Sequence, residues 1–332
     1  MMTPTAKTLR PLLSIGAVLA LAVLSGAGVL LMRDAAPAAR FIEYPMPDPH
    51  DGPMAIAAGA DGTVWFTIDQ ANAIGRLRDG RIELLPTPGR NYAPLGLAVA
   101  VDGSAWYTDI NAGAVMRVSP SGEVTQFVLD SAIVRLGRVA VAPDGSVWFA
   151  DATGAGITQL KDGKFRHHEI GSAASGPYGV AVTSDGIVWA TLQGGGKLVR
   201  IEPDGAMATI DLSRPSVVPT DIAVGVDGSV WFLQFRANRI GRLRNGEFSD
   251  FKVGEQNAGL SGLAVAGDGA VWFGMVRYSS LGRLRDGRVE IFRLPRDNAR
   301  PYSLAVDPDG NIWYADISGY VGVLPARYAR GS

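Results

Sequence analysis

Seven hexapeptides of the form Asp-Gly-x-Val-Trp-Phe, or close variants of it, begin at Asp61, Asp102, Asp144, Asp185, Asp227, Asp268 and Asp309, and between them hold every tryptophan of the chain. Consecutive tryptophans, from Trp65 to Trp313, lie 41 or 42 residues apart. A turn signal and an aromatic side chain at fixed phase over such a period mark a repeat array whose unit is one propeller blade. Seven units predict an all-β fold, a seven-bladed β-propeller.

Each unit reads as four antiparallel strands, A to D. Asp-Gly separates a run such as Val139-Ala140-Val141-Ala142 from Val147-Trp148-Phe149, and glycine there supplies the positive φ that a tight turn demands. Strand C follows, as in Ala73-Ile74-Gly75-Arg76-Leu77, then a second Asp-Gly or a relative, then an alternating strand D, as in Arg81-Ile82-Glu83-Leu84-Leu85. A lone sheet of this kind has two apolar faces to hide, and stacking blades in a circle hides both. The tryptophan is expected to fill the seam between blades.

The segment Arg40-Phe41-Ile42-Glu43-Tyr44-Pro45-Met46-Pro47 has the pattern of a strand D but precedes the first blade, whereas the seventh unit supplies only three strands. Residues 40–47 are therefore predicted to pair onto the seventh blade and close the ring, leaving no open edge there. The propeller is assigned to residues 40–325, followed by a short polar tail at 326–332.

Residues 1–39 stand apart. Lys7 and Arg10 precede an apolar run from Leu12 to Met32, and Ala35-Ala36-Pro37-Ala38-Ala39 follows it. This is the composition of an export signal, yet the run is long enough to span a bilayer. A cleaved signal peptide and an uncleaved anchor tethering the protein to a membrane through residues 12–32 both remain open. Either places the propeller outside the cytoplasm, in the periplasm or secreted.

Lysine and arginine number 31 against 32 acidic residues, with no basic stripe to follow a phosphate backbone, so nucleic acid is excluded as a partner. The absence of cysteine rules out disulfides, thiolate metal sites and cysteine nucleophiles. The expected assembly is a monomer.

Chemistry is sought where the copies differ around the channel. Eleven residues before each tryptophan, at the start of the innermost strand A, stand Met54, Leu95, Gly137, Tyr178, Thr220, Ser261 and Tyr302. Three residues after it, at the end of strand B, stand Ile68, Asp109, Asp151, Leu192, Gln234, Met275 and Asp316. Both sets emerge on the rim where propeller ligands bind. With neighbouring Arg138, Asp221, Arg236, Arg277 and Tyr278, the candidates Tyr178, Gln234, Met275 and Tyr302 describe a funnel of guanidinium donors and aromatic surfaces, suited to a small molecule, sugar, peptide or protein partner.

The units read Pro-x-Gly-Ile, Asp-Gly-x-Val-Trp-Phe-Thr and Asn-x-Ile-Gly-Arg-Leu, best seen in Pro94-Leu95-Gly96-Leu97, Val64-Trp65-Phe66-Thr67, Asn72-Ala73-Ile74-Gly75-Arg76-Leu77 and Asn238-Arg239-Ile240-Gly241-Arg242-Leu243. Over all seven units this resembles the streptogramin B (virginiamycin B) lyase family. The resemblance implies a seven-bladed propeller that opens a cyclic depsipeptide by elimination. It implies a histidine at a strand A start as general acid or base, and glutamates after Trp-Phe-Thr that hold magnesium. In this chain no strand A start is histidine and no Trp-Phe is followed by glutamate. What stands nearest is His50, four residues upstream of the histidine position, and the aspartates Asp109, Asp151 and Asp316, which are candidate ligands of a divalent cation, magnesium or calcium. The expected function is thus a binding or interaction module on the lyase scaffold. The alternative is an enzyme: a divergent lyase, or a metal-dependent lactonase or esterase.

Overall fold

The computed structural model describes residues 40–69, 71, 73–87, 93–130, 135–212, 217–254 and 257–330. The expected leader, residues 1–39, and Asn72 of the strand C motif lie outside them. Among the described residues no helix is long and apolar enough to cross a membrane.

Seven four-stranded antiparallel sheets form the described chain. Blades 1 to 6 are each contiguous in sequence, with strands A beginning at Gly52, Pro94, Leu136, Pro177, Pro219 and Leu260. Strand A of every blade touches strand A of the next, and Gly52–Ala58 of blade 1 touches Pro301–Val306 of blade 7, so the ring is closed with strands A innermost.

Blade 7 takes its outer strand from the N-terminal side, as the sequence predicts. Ile42–Pro45 pairs antiparallel with Tyr320–Leu324, in the register Ile42 to Val323 and Pro45 to Tyr320. The regular strand is shorter than the 40–47 segment, although Met46 N–H still donates to Gly319 O at 2.9 Å. The C-terminal tail does more than the sequence suggests. Ala326–Ala329 forms a helical turn, Ala329 is buried in the apolar cluster of blades 6 and 7, and Arg283 Nη1 donates to its carbonyl.

The tryptophans occupy the seams. Trp65 packs with Tyr107 of blade 2, Trp148 with Ala190 of blade 4, Trp272 with Tyr314 of blade 7, and Trp313 with Phe66 of blade 1, which returns the circle to its start. The strand C arginine lies over the tryptophan it faces across the sheet: Arg76 over Trp65 at 5.6 Å and Arg242 over Trp231 at 5.4 Å from the ring centroids. The glycine before that arginine is equally structural, because a Cβ on Gly282 would overlap the Phe273 ring lying across it.

The two kinds of Asp-Gly turn differ. Between strands A and B only the glycine takes positive φ, 75° to 85°, while in blades 1, 2, 3, 5 and 6 the aspartate accepts the N–H two residues on, as Asp144 Oδ1 does from Ser146 at 3.0 Å. Between strands C and D of blades 1, 3, 5 and 6 both residues are left-handed, as at Asp79 and Gly80 with φ of 49° and 72°. Those are the two-residue hairpins.

Candidate functional site

Strand A begins on the funnel side with a bulge in every blade, because the register to strand B shifts there. In blade 3 the shift falls between Leu136 and Val139, in blade 5 between Pro219 and Ile222. A bulge leaves its extra residue unpaired and re-aims the side chain. Arg138 and Asp221 sit at those positions.

They meet although a blade stands between them in the ring. Arg138 Nε lies 3.5 Å from Asp221 Oδ1, with the two side chains 11% and 17% exposed. Arg138 Nη1 donates to Leu95 O of blade 2 at 3.2 Å, and Asp221 Oδ2 accepts the Leu263 N–H of blade 6 at 3.0 Å. The guanidinium carbon lies 6.0 Å from the Tyr178 ring centroid of blade 4. Tyr302 of blade 7 is close enough to act on the charges of both Arg138 and Tyr178. The floor of the funnel is thus a charge pair from blades 3 and 5 with the Tyr178 ring of blade 4 beside the guanidinium.

Burial works against the Arg138 charge, but Asp221 with Tyr178 and Tyr302 more than offsets it, so its pKa is raised. Burial pushes the Tyr178 hydroxyl up, against the pull of Arg138. Both groups therefore keep their ordinary protonation at neutral pH, and the floor offers fixed donors and one carboxylate acceptor.

Threonines not singled out from the sequence hold this rim together. Thr108 Oγ1 accepts from Gly96 N–H at 3.0 Å and donates to Gly137 O of the next blade at 2.8 Å. Thr191 does the same between Gly179 and Thr220, at 2.8 and 2.7 Å. Both stand two residues after the tryptophan, the place of Thr67 in Trp65-Phe66-Thr67.

Other expected site residues fall elsewhere. Gln234 and Met275 are buried, 1% and 3% exposed, rather than displayed on the rim; Met275 belongs to the apolar seam of blades 5 and 6. Arg236 and Arg277 are exposed on short 3-10 turns after strand B. His50 is also exposed, with Nδ1 2.9 Å from Asp48 Oδ1.

The three aspartates do not converge. Asp151 Oδ1 accepts the N–H groups of Thr153 and Gly154 at 3.0 and 2.9 Å. Asp316 takes Arg296 Nη2 at 2.6 Å on Oδ2 and the N–H groups of Arg300 and Ser318 on Oδ1. Asp109 Oδ1 accepts Ala112 N–H at 2.8 Å, Oδ2 has no hydrogen-bond partner, and burial pushes its carboxyl pKa up. Each ties its own loop. Among the described residues no three histidines or carboxylates come together, so the donor set does not fit the magnesium of the lyases.

The chain matches the virginiamycin B lyase family over residues 34–196 and 129–326, two overlapping passes along the repeat. It is 31% identical over 212 residues to a virginiamycin B lyase of Nocardia farcinica, covering 64% of this chain and 73% of that protein. A crystal structure of a catalytically inactive histidine-to-alanine virginiamycin B lyase from Staphylococcus aureus with quinupristin superposes with a TM-score of 0.81 at 26% identity, over 86% of this chain and 98% of the other. A streptogramin B lyase structure gives 0.81 at 27% identity, over 85% and 96%. With seven blades, the repeat motif in each, and a family match from end to end of the ring, this chain belongs to the virginiamycin B lyase family.

Proposed function

We propose that this family member is an extracytoplasmic binding propeller whose funnel holds a small polar ligand, and that it does not carry out the elimination for which the family is named. The observation that carries the reading is the floor of the funnel. Where the resemblance calls for an imidazole at a strand A start, this chain has Tyr178, beside the Arg138–Asp221 pair, and Tyr302. Elimination needs a base that titrates near neutral pH beside an acidic proton. A charge-paired guanidinium and a tyrosine whose pKa burial raises supply none, whereas oriented donors, an acceptor and ring faces supply recognition.

The position outside the cytoplasm is supported by the basic, then apolar, then small-residue order of residues 1–39. The enzymatic alternative draws on Asp109 Oδ2, a buried carboxylate oxygen without a partner, but no neighbouring donor set supports a cation there.

Incubation with quinupristin and magnesium, followed by mass spectrometry, tests the central claim. The cyclic compound is expected to persist intact. Its conversion to a linear product, lost in a His50→Ala variant, would return the protein to the lyases.

A further inference from the structure

The chain enters the ring on the face opposite the funnel. In blade 7 strand A runs from Pro301 at the funnel to Val306, and strand B returns from Ile312 to Asp316. Strand C pairs Tyr320 with Asp316 at the funnel end and Leu324 with Ile312 beside the A–B turn. The closing strand lies against it with Pro45 at Tyr320 and Ile42 at Val323, so Arg40 stands level with the A–B turns. The apolar run from Leu12 to Met32 is therefore joined to the propeller on that side.

Covalent reach limits how the ring can turn. Residues 33–39 are all that joins Met32 to Arg40, and a link of that length spans at most about 25 Å. A six-residue strand is itself about 20 Å long. A funnel turned toward a bilayer holding Leu12 to Met32 would need nearly the whole link to climb the side of blade 7, whereas A–B turns facing the bilayer need none of it.

The same face carries the two most exposed large apolar side chains of the described residues. Val101 is 94% exposed and Val226 81%, ahead of Val128 at 60%. Each takes the second place of an A–B turn, closed by Gly103 N–H to Ala100 O at 2.9 Å and by Gly228 N–H to Gly225 O at 3.0 Å, which holds the side chain outward on a fixed tip. Ala60, Pro143 and Pro308 take that place in blades 1, 3 and 7, and no blade puts a charge there. Of the aspartates that follow, Asp102, Asp144 and Asp268 are paired from strand C by Arg117, Lys161 and Arg285. Where the chain enters, the Tyr328 ring meets the guanidinium groups of Arg40 and Arg327, 5.6 and 4.8 Å from its centroid. A tyrosine with long basic side chains beside it suits the level of lipid headgroups.

We propose that the A–B turn face is a membrane-docking surface: with residues 12–32 retained as the anchor, Val101 and Val226 enter the headgroup layer and the funnel opens away from the bilayer. The assignment goes beyond the reading of the funnel and holds whatever the funnel binds.

Because the chain has no cysteine, single-cysteine variants of the full chain report on each face. Val101→Cys, Val226→Cys and, on the funnel side, Phe235→Cys carry an environment-sensitive fluorophore in phosphatidylcholine vesicles with or without a lipid bearing a nitroxide near its headgroup. The labels at 101 and 226 are expected to lose about half or more of their emission to the nitroxide, and the label at 235 almost none. A label at Ala60→Cys is expected to be quenched likewise and to escape once Val101→Asp and Val226→Asp are added, with the protein still held on the vesicles and its melting temperature unmoved. Quenching at 235 equal to that at 101 and 226, no quenching at 101 and 226, or a label at 60 indifferent to the aspartates overturns the docking face. Recovery from the expressing cells of a soluble chain cut between Met32 and Arg40 overturns the anchor, and the proposal with it.

Discussion

Arg296 grips Glu43 with two nitrogens, Nε to Oε2 at 3.0 Å and Nη2 to Oε1 at 3.1 Å, across 253 residues of sequence. The same Nη2 reaches Asp316 at 2.6 Å, and Tyr314 Oη donates to Glu43 at 2.9 Å. The closing strand is therefore held by a charge network as well as by its ladder, and the burial and Glu43 charge around Tyr314 raise that hydroxyl's pKa well above its ordinary value. Arg296→Ala would leave the fully buried Asp316 carboxylate without its counter-charge. It is expected to cost about 3 kcal/mol in urea denaturation, and deletion of residues 40–47 more. Unchanged midpoints for both would show that ring closure does not depend on this strand.

Seam tryptophans differ in how much they bury. Trp272 is 1% exposed and Trp106 only half-buried. Burying an indole contributes at most about 4 to 6 kcal/mol. Trp272→Ala and Trp148→Ala are expected to lower stability by about 3 to 5 kcal/mol, and Trp106→Ala by less. A ranking with Trp106 as the costliest site would contradict the seam geometry.

At the funnel floor, Asp221→Asn strips the counter-charge from a guanidinium that is only 11% exposed. A loss of about 2 to 4 kcal/mol is expected, with most of it recovered when Arg138→Met is combined with Asp221→Leu. A double variant as unstable as the sum of the single ones would mean that the two side chains are not coupled.

The ring was legible in the sequence because one environment recurs seven times. Trp65 and its six counterparts must all fill a seam, so their phase fixed blades, strands and closure. The site was legible only in part. Arg138, Tyr178, Asp221 and Tyr302 could be placed near the funnel by phase, but not their meeting, which depends on bulges that carry no residue signature. Gln234 and Met275 are buried for a simpler reason. Side chains alternate along a strand, so the third residue after the tryptophan shares the face of the first, as Met275 does with Phe273, and that face looks into the seam. Thr108 and Thr191 carry no repeat signal, because the same position is Ala150, Leu233, Gly274 and Ala315 in blades 3, 5, 6 and 7, yet they bond one blade to the next.

His168 departs from its counterparts and makes blade 3 sensitive to pH. Phe127, Phe251 and Phe292 pack on the tryptophans of their blades from strand D, and His168 packs the same way on Trp148, with ring centroids 5.1 Å apart. It is 9% exposed, and its Nε2 has no hydrogen-bond partner. Burial, with Arg166 and His167 adding to it, holds its pKa below the ordinary 6.5. A lowered histidine pKa means that the fold prefers the neutral ring and the unfolded chain binds the proton first. The stabilising contribution is therefore present above pH 6.5 and lost as pH falls through the depressed folded value. His168→Phe installs the residue of blades 2, 5 and 6 and cannot titrate. Melting curves from pH 8 down to about pH 5 should show the two proteins diverging below about pH 6.5, the histidine form falling faster. Parallel curves over that range would mean that His168 gains a proton in the folded seam as easily as in water.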